Sequence, residues 1–198
     1  MTTRDSMLRL QRIAENAAAR KFDPTRHKCF VSYHVDDMTE VEAFISDFGS
    51  EFIARSVGVT IEDDFVDSDN EEYVQRRIRE QYLTDSTVTI VLLGKCTWAR
   101  KFVDWEISSS LRNDHNNKRN GLLAYPLPSM DNSARLPERI RDNWVDGAPD
   151  KSYARYLAYP SSASTVRSNI NAAFDDRTTK SSLVENSRAL RKANSTCQ

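Results

Sequence analysis

The run Thr97-Trp98-Ala99-Arg100-Lys101-Phe102-Val103-Asp104-Trp105-Glu106-Ile107 carries a carboxylate where a helix ought to be apolar. Wound at about 100° per residue, it puts Trp98, Phe102 and Trp105 on one stripe, which Val103 and Ile107 widen. Glu106 falls inside that arc, whereas Arg100, Lys101 and Asp104 point elsewhere. Two readings of Glu106 are open. In one it pairs with an arginine or snorkels to water at the edge of the apolar face. In the other it is a partly desolvated carboxylate that awaits a cationic partner. An oxocarbenium-like sugar is such a partner, and flanking aromatic side chains suit a base or a nicotinamide ring.

Other residues offer less specific chemistry. His34 follows a strand-like run and reads either as an acid–base group or as a solvated strand-end histidine. Cys96 lies just past another strand and next to a helix start, a setting that depresses a thiol pKa. It reads as a nucleophile or, with no partner base in view, as an ordinary thiol. The acidic run from Glu62 to Glu72 lacks the glycine and spacing of an EF-hand and reads as a solvated loop with a helix cap. There is no G-x-G-x-x-G and no P-loop, and the chain has 5 glycines in all, which argues against the usual dinucleotide or triphosphate cradle.

The bulk composition narrows the class. A chain of 198 residues with 39% hydrophobic content builds one ordinary core. Its 28 basic and 29 acidic residues nearly cancel, so no global field favours nucleic acid or an anionic membrane. No apolar run approaches the roughly 18 residues of a membrane span. The first residues are amphipathic and charged, without the apolar region of a secretory signal, so the cytoplasm is the expected compartment. Cys29, Cys96 and Cys197 look too few and too scattered for a disulfide framework or a zinc site, and no metal site is expected. Asn194-Ser195-Thr196 matches a glycosylation acceptor, which the missing secretory signal discounts.

The elements that must position Glu106 follow from periodicity. Residues 6–21 read as a helix that Asp23-Pro24 breaks. Residues 28–34 and 86–94 are short apolar runs rich in β-branched residues, as buried parallel strands are. Further strands are expected over 57–63, 121–127 and 153–159. Helices are expected after Asp36 or Asp37, with Val41, Phe44, Ile45, Phe48 and Phe52 at helical spacing, then over 67–83, after Gly94, and over 161–174; 134–140 suggests a short one. The rest, to residue 198, is polar with little periodicity and reads as a loose helix or tail. Strands alternating with helices imply an α/β parallel sheet of about five strands, covered on both faces. Ligands of such folds bind beyond the carboxyl ends of the strands. Ser32 to Asp37, Glu62 to Asp69 and Gly94 to Trp98 emerge there, and a helix starting after Gly94 carries Glu106 close by.

Two segments resemble a known family. Cys29 to Asp37, CFVSYHVDD, is similar to the first strand and loop of Toll/interleukin-1 receptor (TIR) domains, and Ser86 to Ile107, STVTIVLLGKCTWARKFVDWEI, is similar to their strand–turn–helix signature with its glutamate. The resemblance covers about residues 28–160 and is especially to the TIR-like proteins of the Thoeris antiphage system. It departs in the loop of residues 62–70, and in Phe102-Val103 where the family often has Trp-Cys.

The resemblance implies a flavodoxin-like fold in residues 25–175, with a helical extension over 1–24 and a tail or helix over 176–198. It also implies cleavage of NAD, as substrate rather than cofactor, to a cyclic ADP-ribose-type or related signal. Glu106 would be the catalytic carboxylate, and Ser32, Tyr33, His34, Asp36, Gly94, Cys96, Thr97, Trp98 and Phe102 would line the substrate. The same likeness implies self-association when active, a separate effector that senses the product and a phage-derived trigger. The rivals are a non-catalytic TIR interaction module and a deoxyribosyltransferase-like enzyme on the same fold. NAD chemistry suits one carboxylate: nicotinamide leaves neutral, without protonation, and the positive charge stays on the ribose.

Overall fold

The computed structural model describes residues 3–21, 23–57, 68–113, 118–130 and 135–197. Among them, Lys28–Ser32 (β1), Ile53–Val57 (β2), Val88–Leu93 (β3), Gly121–Pro126 (β4) and Arg155–Tyr156 (β5) form one sheet in the order β2-β1-β3-β4-β5. Every neighbouring pair runs parallel. All of β3 is buried, which is why Val-Thr-Ile-Val-Leu-Leu shows no polar alternation.

Side chains alternate between the two faces of a sheet. Cys29, Val31, Ile90, Leu92, Leu123 and Tyr125 meet the helices Thr3–Ala19 (α1), Met38–Phe48 (α2) and Ala163–Thr179 (α6). Phe30, Val91, Leu93, Leu122 and Ala124 meet Glu71–Ile78 (α3), Lys101–Leu111 (α4) and Glu138–Asp142 (α5) on the other face. This is the flavodoxin-like α/β arrangement. Leu10 and Ala14 of α1 belong to the same core as α2 and the sheet. None of the described helices is long and apolar enough to cross a membrane.

Several expected boundaries move. The second strand starts at Ile53 rather than at residue 57, and residues 58–67, with most of the acidic run, lie outside the described residues. α2 stops at Phe48, so Phe52 is buried beyond the helix rather than on it. α3 begins at Glu71, with the Asn70 side chain accepting from the Tyr73 amide at 2.9 Å, and passes into a π-helical turn over Arg79–Leu83. β5 is two residues long. α6 runs to Thr179, past the expected end at residue 174.

Beyond α6 the chain forms neither helix nor strand over residues 184–197, yet it is firmly placed. It lies as a strap along α4. The Arg191 amide donates to Asp104 Oδ2 at 2.8 Å, and Trp105 Nε1 donates to the Arg191 carbonyl at 2.8 Å. The Lys101 amide donates to Asn194 Oδ1 at 2.8 Å, and the Ser195 amide to the Ala99 carbonyl at 2.9 Å. Arg139, 0% exposed, joins strap and helix: its Nε donates to Asp104 Oδ1 at 2.8 Å and its Nη2 to the Arg188 and Ala189 carbonyls at 2.7 and 2.9 Å.

The strap overturns two expectations. Asp104, expected to point away from the apolar arc, is nonetheless buried, in an ion pair with Arg139. α4 has no solvent face over Val103–Leu111, every residue of which is buried, because α3, α5 and the strap together cover what the sheet does not. The cysteines are not all scattered either. Cys96 and Cys197 form a disulfide across a sequence separation of 101, with Cα atoms 5.6 Å apart.

Candidate functional site

β1 ends on Ser32, on the face that looks toward α4, and Ser32 pairs in register with Val91 of β3. Its Oγ donates to Glu106 Oε2 at 2.5 Å. Glu106 is 1% exposed, so it does not snorkel to water. A carboxylate this deep is tolerated only where donors replace its hydration, and Ser32 is one of them.

The next residue, Tyr33, carries the most unusual polar group of the site. Its Oη is buried and makes no hydrogen bond in the described structure. Burial, and then the negative charge of Glu106, push the phenol's pKa well above its ordinary value, so it stays a neutral donor. His34 Nε2 lies 3.0 Å from Asp36 Oδ2, on an exposed carboxylate. Burial and the Arg100 charge hold the imidazole's pKa below its ordinary value, against the opposing pull of Asp36 and Asp37. His34 is thus neither the fully solvated histidine of one reading nor a group held protonated.

The loops after β1 and β3 are tied together. Thr97 Oγ1 donates to Asp37 Oδ2 at 3.1 Å and accepts from the Gly94 amide at 2.9 Å. Asp37 therefore spends its side chain on Thr97 and makes no side-chain cap at the start of α2. Burial raises its pKa, partly offset by Thr97 and His34. A Cβ at Gly94 would stand 2.1 Å from Asp37 Oδ1, so a side chain there would push the Asp37 carboxylate out of its present place against Thr97.

The remaining expected residues divide. Thr97–Ala99 is a 3₁₀ turn, and Arg100 is extended at φ −99°, ψ 126°, so α4 starts at Lys101. Trp98 is therefore out of helical phase with Phe102 and Trp105, and its ring lies under the Arg135 guanidinium at 5.1 Å. Phe102 and Trp105 do meet, edge to face at 5.8 Å, with the Lys101 ammonium 5.3 and 4.9 Å from their ring centroids. Cys96 is in the disulfide and offers no thiol, which removes the nucleophile reading. Cys29 keeps its thiol but is 0% exposed, and burial pushes its pKa up.

Sequence reasoning missed Arg100, whose Nε is buried without a hydrogen-bond partner and whose charge acts on His34. The helical wheel had turned it away from the site; only the 3₁₀ break re-aims it. A cavity of about 200 Å³ opens on the strap side of α4, lined by Asp69, Glu71, Val74, Lys101, Trp105 and Arg191, and Glu106 is not part of its wall. No cluster of three metal-ligating side chains occurs among the described residues.

Taken together, Ser32, Tyr33, His34, Asp37, Gly94, Thr97 and Glu106 gather at the carboxyl ends of β1 and β3, where parallel sheets bind ligands. A desolvated carboxylate held by Ser32 can stabilise a positive centre, and a neutral phenol near enough to feel its charge can orient a hydroxylated or phosphorylated ligand. No curated protein matches the chain. Residues 30–132, more than half of it, match the family described as Thoeris protein ThsB, TIR-like domain. The matched segment contains both β1 with Ser32 and α4 with Glu106, and on the strength of it the chain belongs to the TIR-like domain family of Thoeris ThsB.

Proposed function

We propose that this TIR-like module of the Thoeris defence family cleaves NAD at the nicotinamide–ribosyl bond, with Glu106 as the catalytic carboxylate. The observation that carries the reading is the 1% exposure of Glu106, held by Ser32 Oγ at the carboxyl edge of the sheet. As the C1′–N bond breaks, its electron pair leaves with nicotinamide, which becomes neutral. The ribose keeps a positive charge at C1′. A carboxylate in a low-dielectric setting stabilises that charge far better than one in water. Water, or a nucleophilic atom of the same nucleotide, then adds at C1′ and loses a proton, giving a linear or a cyclic ADP-ribose-type product.

Ser32 orients the carboxylate. Tyr33, His34 and Asp36 on one loop, and Gly94, Thr97 and Trp98 on the other, meet the sugar and phosphates, while Phe102 offers the nicotinamide a ring edge. Cys96 contributes through the backbone of its loop only. In the cell the product would switch on a separate effector, on a phage-derived trigger, in a self-associated form of the protein.

The test is chromatography of NAD incubated with the purified chain, with and without lysate from phage-infected cells. Release of nicotinamide by the wild type, reduced by about 100-fold or more in Glu106→Gln at unchanged melting temperature, is the expected result. A folded, fully active Glu106→Gln variant overturns the assignment. The second reading, a non-catalytic assembly module, draws on the same burial: a hydrogen-bonded interior carboxylate also serves structure. Under that reading Glu106→Gln lowers the melting temperature, and nicotinamide never appears with either preparation.

A further inference from the structure

The Cys96–Cys197 disulfide stands outside the chemistry proposed above, and it joins two segments with very different holds on the molecule. Cys96 belongs to the loop that Thr97 pins to Asp37 and that follows the central strand. Cys197 belongs to the strap. From Glu185 to Leu190 the strap is well anchored: Asn143 exchanges hydrogen bonds with Glu185, Asn186 Nδ2 donates to the Ser108 carbonyl at 3.0 Å, and Leu190 is buried against Val74 and Trp105.

Past Arg191 the character changes. Lys192, Ala193, Asn194 and Thr196 are exposed, and the hydrogen bonds that tie this end to the molecule run from the Lys101 amide to Asn194 Oδ1 and from the Ser195 amide to the Ala99 carbonyl, while Arg191 Nη1 donates to Ser195 Oγ within the strap. Such hydrogen bonds replace equivalent ones to water and contribute little net hold. A covalent tie therefore decides whether this end stays docked. What it docks on matters: the Lys101 amide is one of the first N–H groups of α4, which have no partner within the helix, and Asn194 supplies its acceptor from 93 residues away.

We propose that Cys96 and Cys197 are a thiol–disulfide switch that docks residues 191–197 on the start of α4 when oxidised and frees them when reduced. The chemistry is thiol–disulfide exchange with a small dithiol. One thiolate of the reductant attacks Cys197 Sγ, and the Sγ–Sγ bond breaks with its electron pair on Cys96. The second thiolate then closes the reductant's own disulfide and releases Cys197. The dithiol is oxidised by two electrons, the protein disulfide is reduced, and both cysteines end as thiols after protonation. The reverse exchange, with a disulfide of the same class, restores the lock. Cys197 is half-buried next to the exposed Thr196 and within reach of a small reagent. Cys29, the third cysteine, lies in the core at 0% exposure with its thiol pKa pushed up, and does not compete.

The experiment uses the full chain equilibrated with oxidised glutathione or with dithiothreitol and does not depend on NAD chemistry. Iodoacetamide labelling read by intact mass should give no label on the oxidised native chain and two on the reduced one, Cys29 staying unlabelled in both. Hydrogen exchange at the Lys101 amide should speed up by about tenfold or more on reduction, with the amides of β3 unchanged. Cys197→Ser, never reduced, should show the fast Lys101 exchange; if that variant folds poorly, reduced wild type is itself the free state. Two labels on the glutathione-oxidised chain would show that the bond does not form and would overturn the proposal. So would equal Lys101 exchange in the oxidised and reduced forms.

Discussion

Tyr33→Phe should make the protein more stable and less active at once. The ring of Tyr33 belongs to the core on the α1/α2/α6 face, and phenylalanine keeps that packing. What the variant loses is a hydroxyl that is buried, without a hydrogen-bond partner and close enough to Glu106 to feel its charge. Leaving a buried polar group unsatisfied costs about 1–3 kcal/mol, so deleting it returns about 1 kcal/mol at the low end. For a chain of this size that raises Tm by about 3 °C. If the hydroxyl's proper partner is the ribose or phosphate of the substrate, the variant forfeits one neutral hydrogen bond in the complex. That is about 1.4 kcal/mol, or roughly tenfold in kcat/KM for NAD. The assay pairs a thermal melt with nicotinamide release across NAD concentrations. A fall in Tm would refute the reasoning, because it would mean that the hydroxyl is bonded in the free protein. A rise in Tm with kcat/KM unchanged would refute its second half.

Asp104→Asn, harmless if residue 104 faced solvent, should instead cost about 3 kcal/mol and lower Tm by about 6–12 °C, because it strips the fully buried Arg139 of its counter-charge; an unchanged melt would count against the buried pair. Stability should also depend on pH through two histidines. His34 and His27 are both held below the ordinary imidazole value when folded, by burial first and then by Arg100 and Arg177 respectively. As pH falls the unfolded chain takes up those protons first, so their contribution is complete above about pH 6.5 and declines below it. Asp37 acts in the opposite sense at lower pH, its raised pKa letting the folded chain hold a proton better there. Melts between about pH 7.5 and 5.5 should show the decline, flattened by His34→Gln with His27→Gln; a flat wild-type profile would exclude it.

The sheet and the place of Glu106 were legible because both rest on local patterns. β3 is buried on both faces and is apolar but for Thr89, whose hydroxyl is paired with Ser110 and Asn120, and any helix that follows it directly brings a glutamate ten or so residues on back over the sheet. The error at Trp98 shows the reach of that logic. Helical phase holds only within one helix, and an extended Arg100 resets it. The error at Asp104 has a different origin. A polar residue opposite the apolar arc looks solvated unless another segment supplies its partners, and here they come from Arg139 and Arg191, 35 and 87 residues away. The strap was illegible for the same reason: apart from the buried Leu190 it binds largely through backbone groups and polar side chains, which leave no hydrophobic period to read. Nor does spacing along a chain say that Cys96 and Cys197 meet; only the assembled sheet and strap bring them within 5.6 Å.

The strap has a bearing on how the molecule is made. α4 leaves the ribosome with its sheet-facing side ready to pack, since β1 and β3 precede it, but its outer side is finished by residues synthesised about 80 positions later. At translation speeds of about 5–20 residues per second, Trp105, Asp104 and Arg139 wait several seconds for their cover. A nascent or prematurely ended chain thus has the strands of the site but an unclad helix beneath Glu106. The outer side of α4 is finished only once residues 184–197 have been translated, so the order of the chain itself sets how late the helix that carries Glu106 is completed.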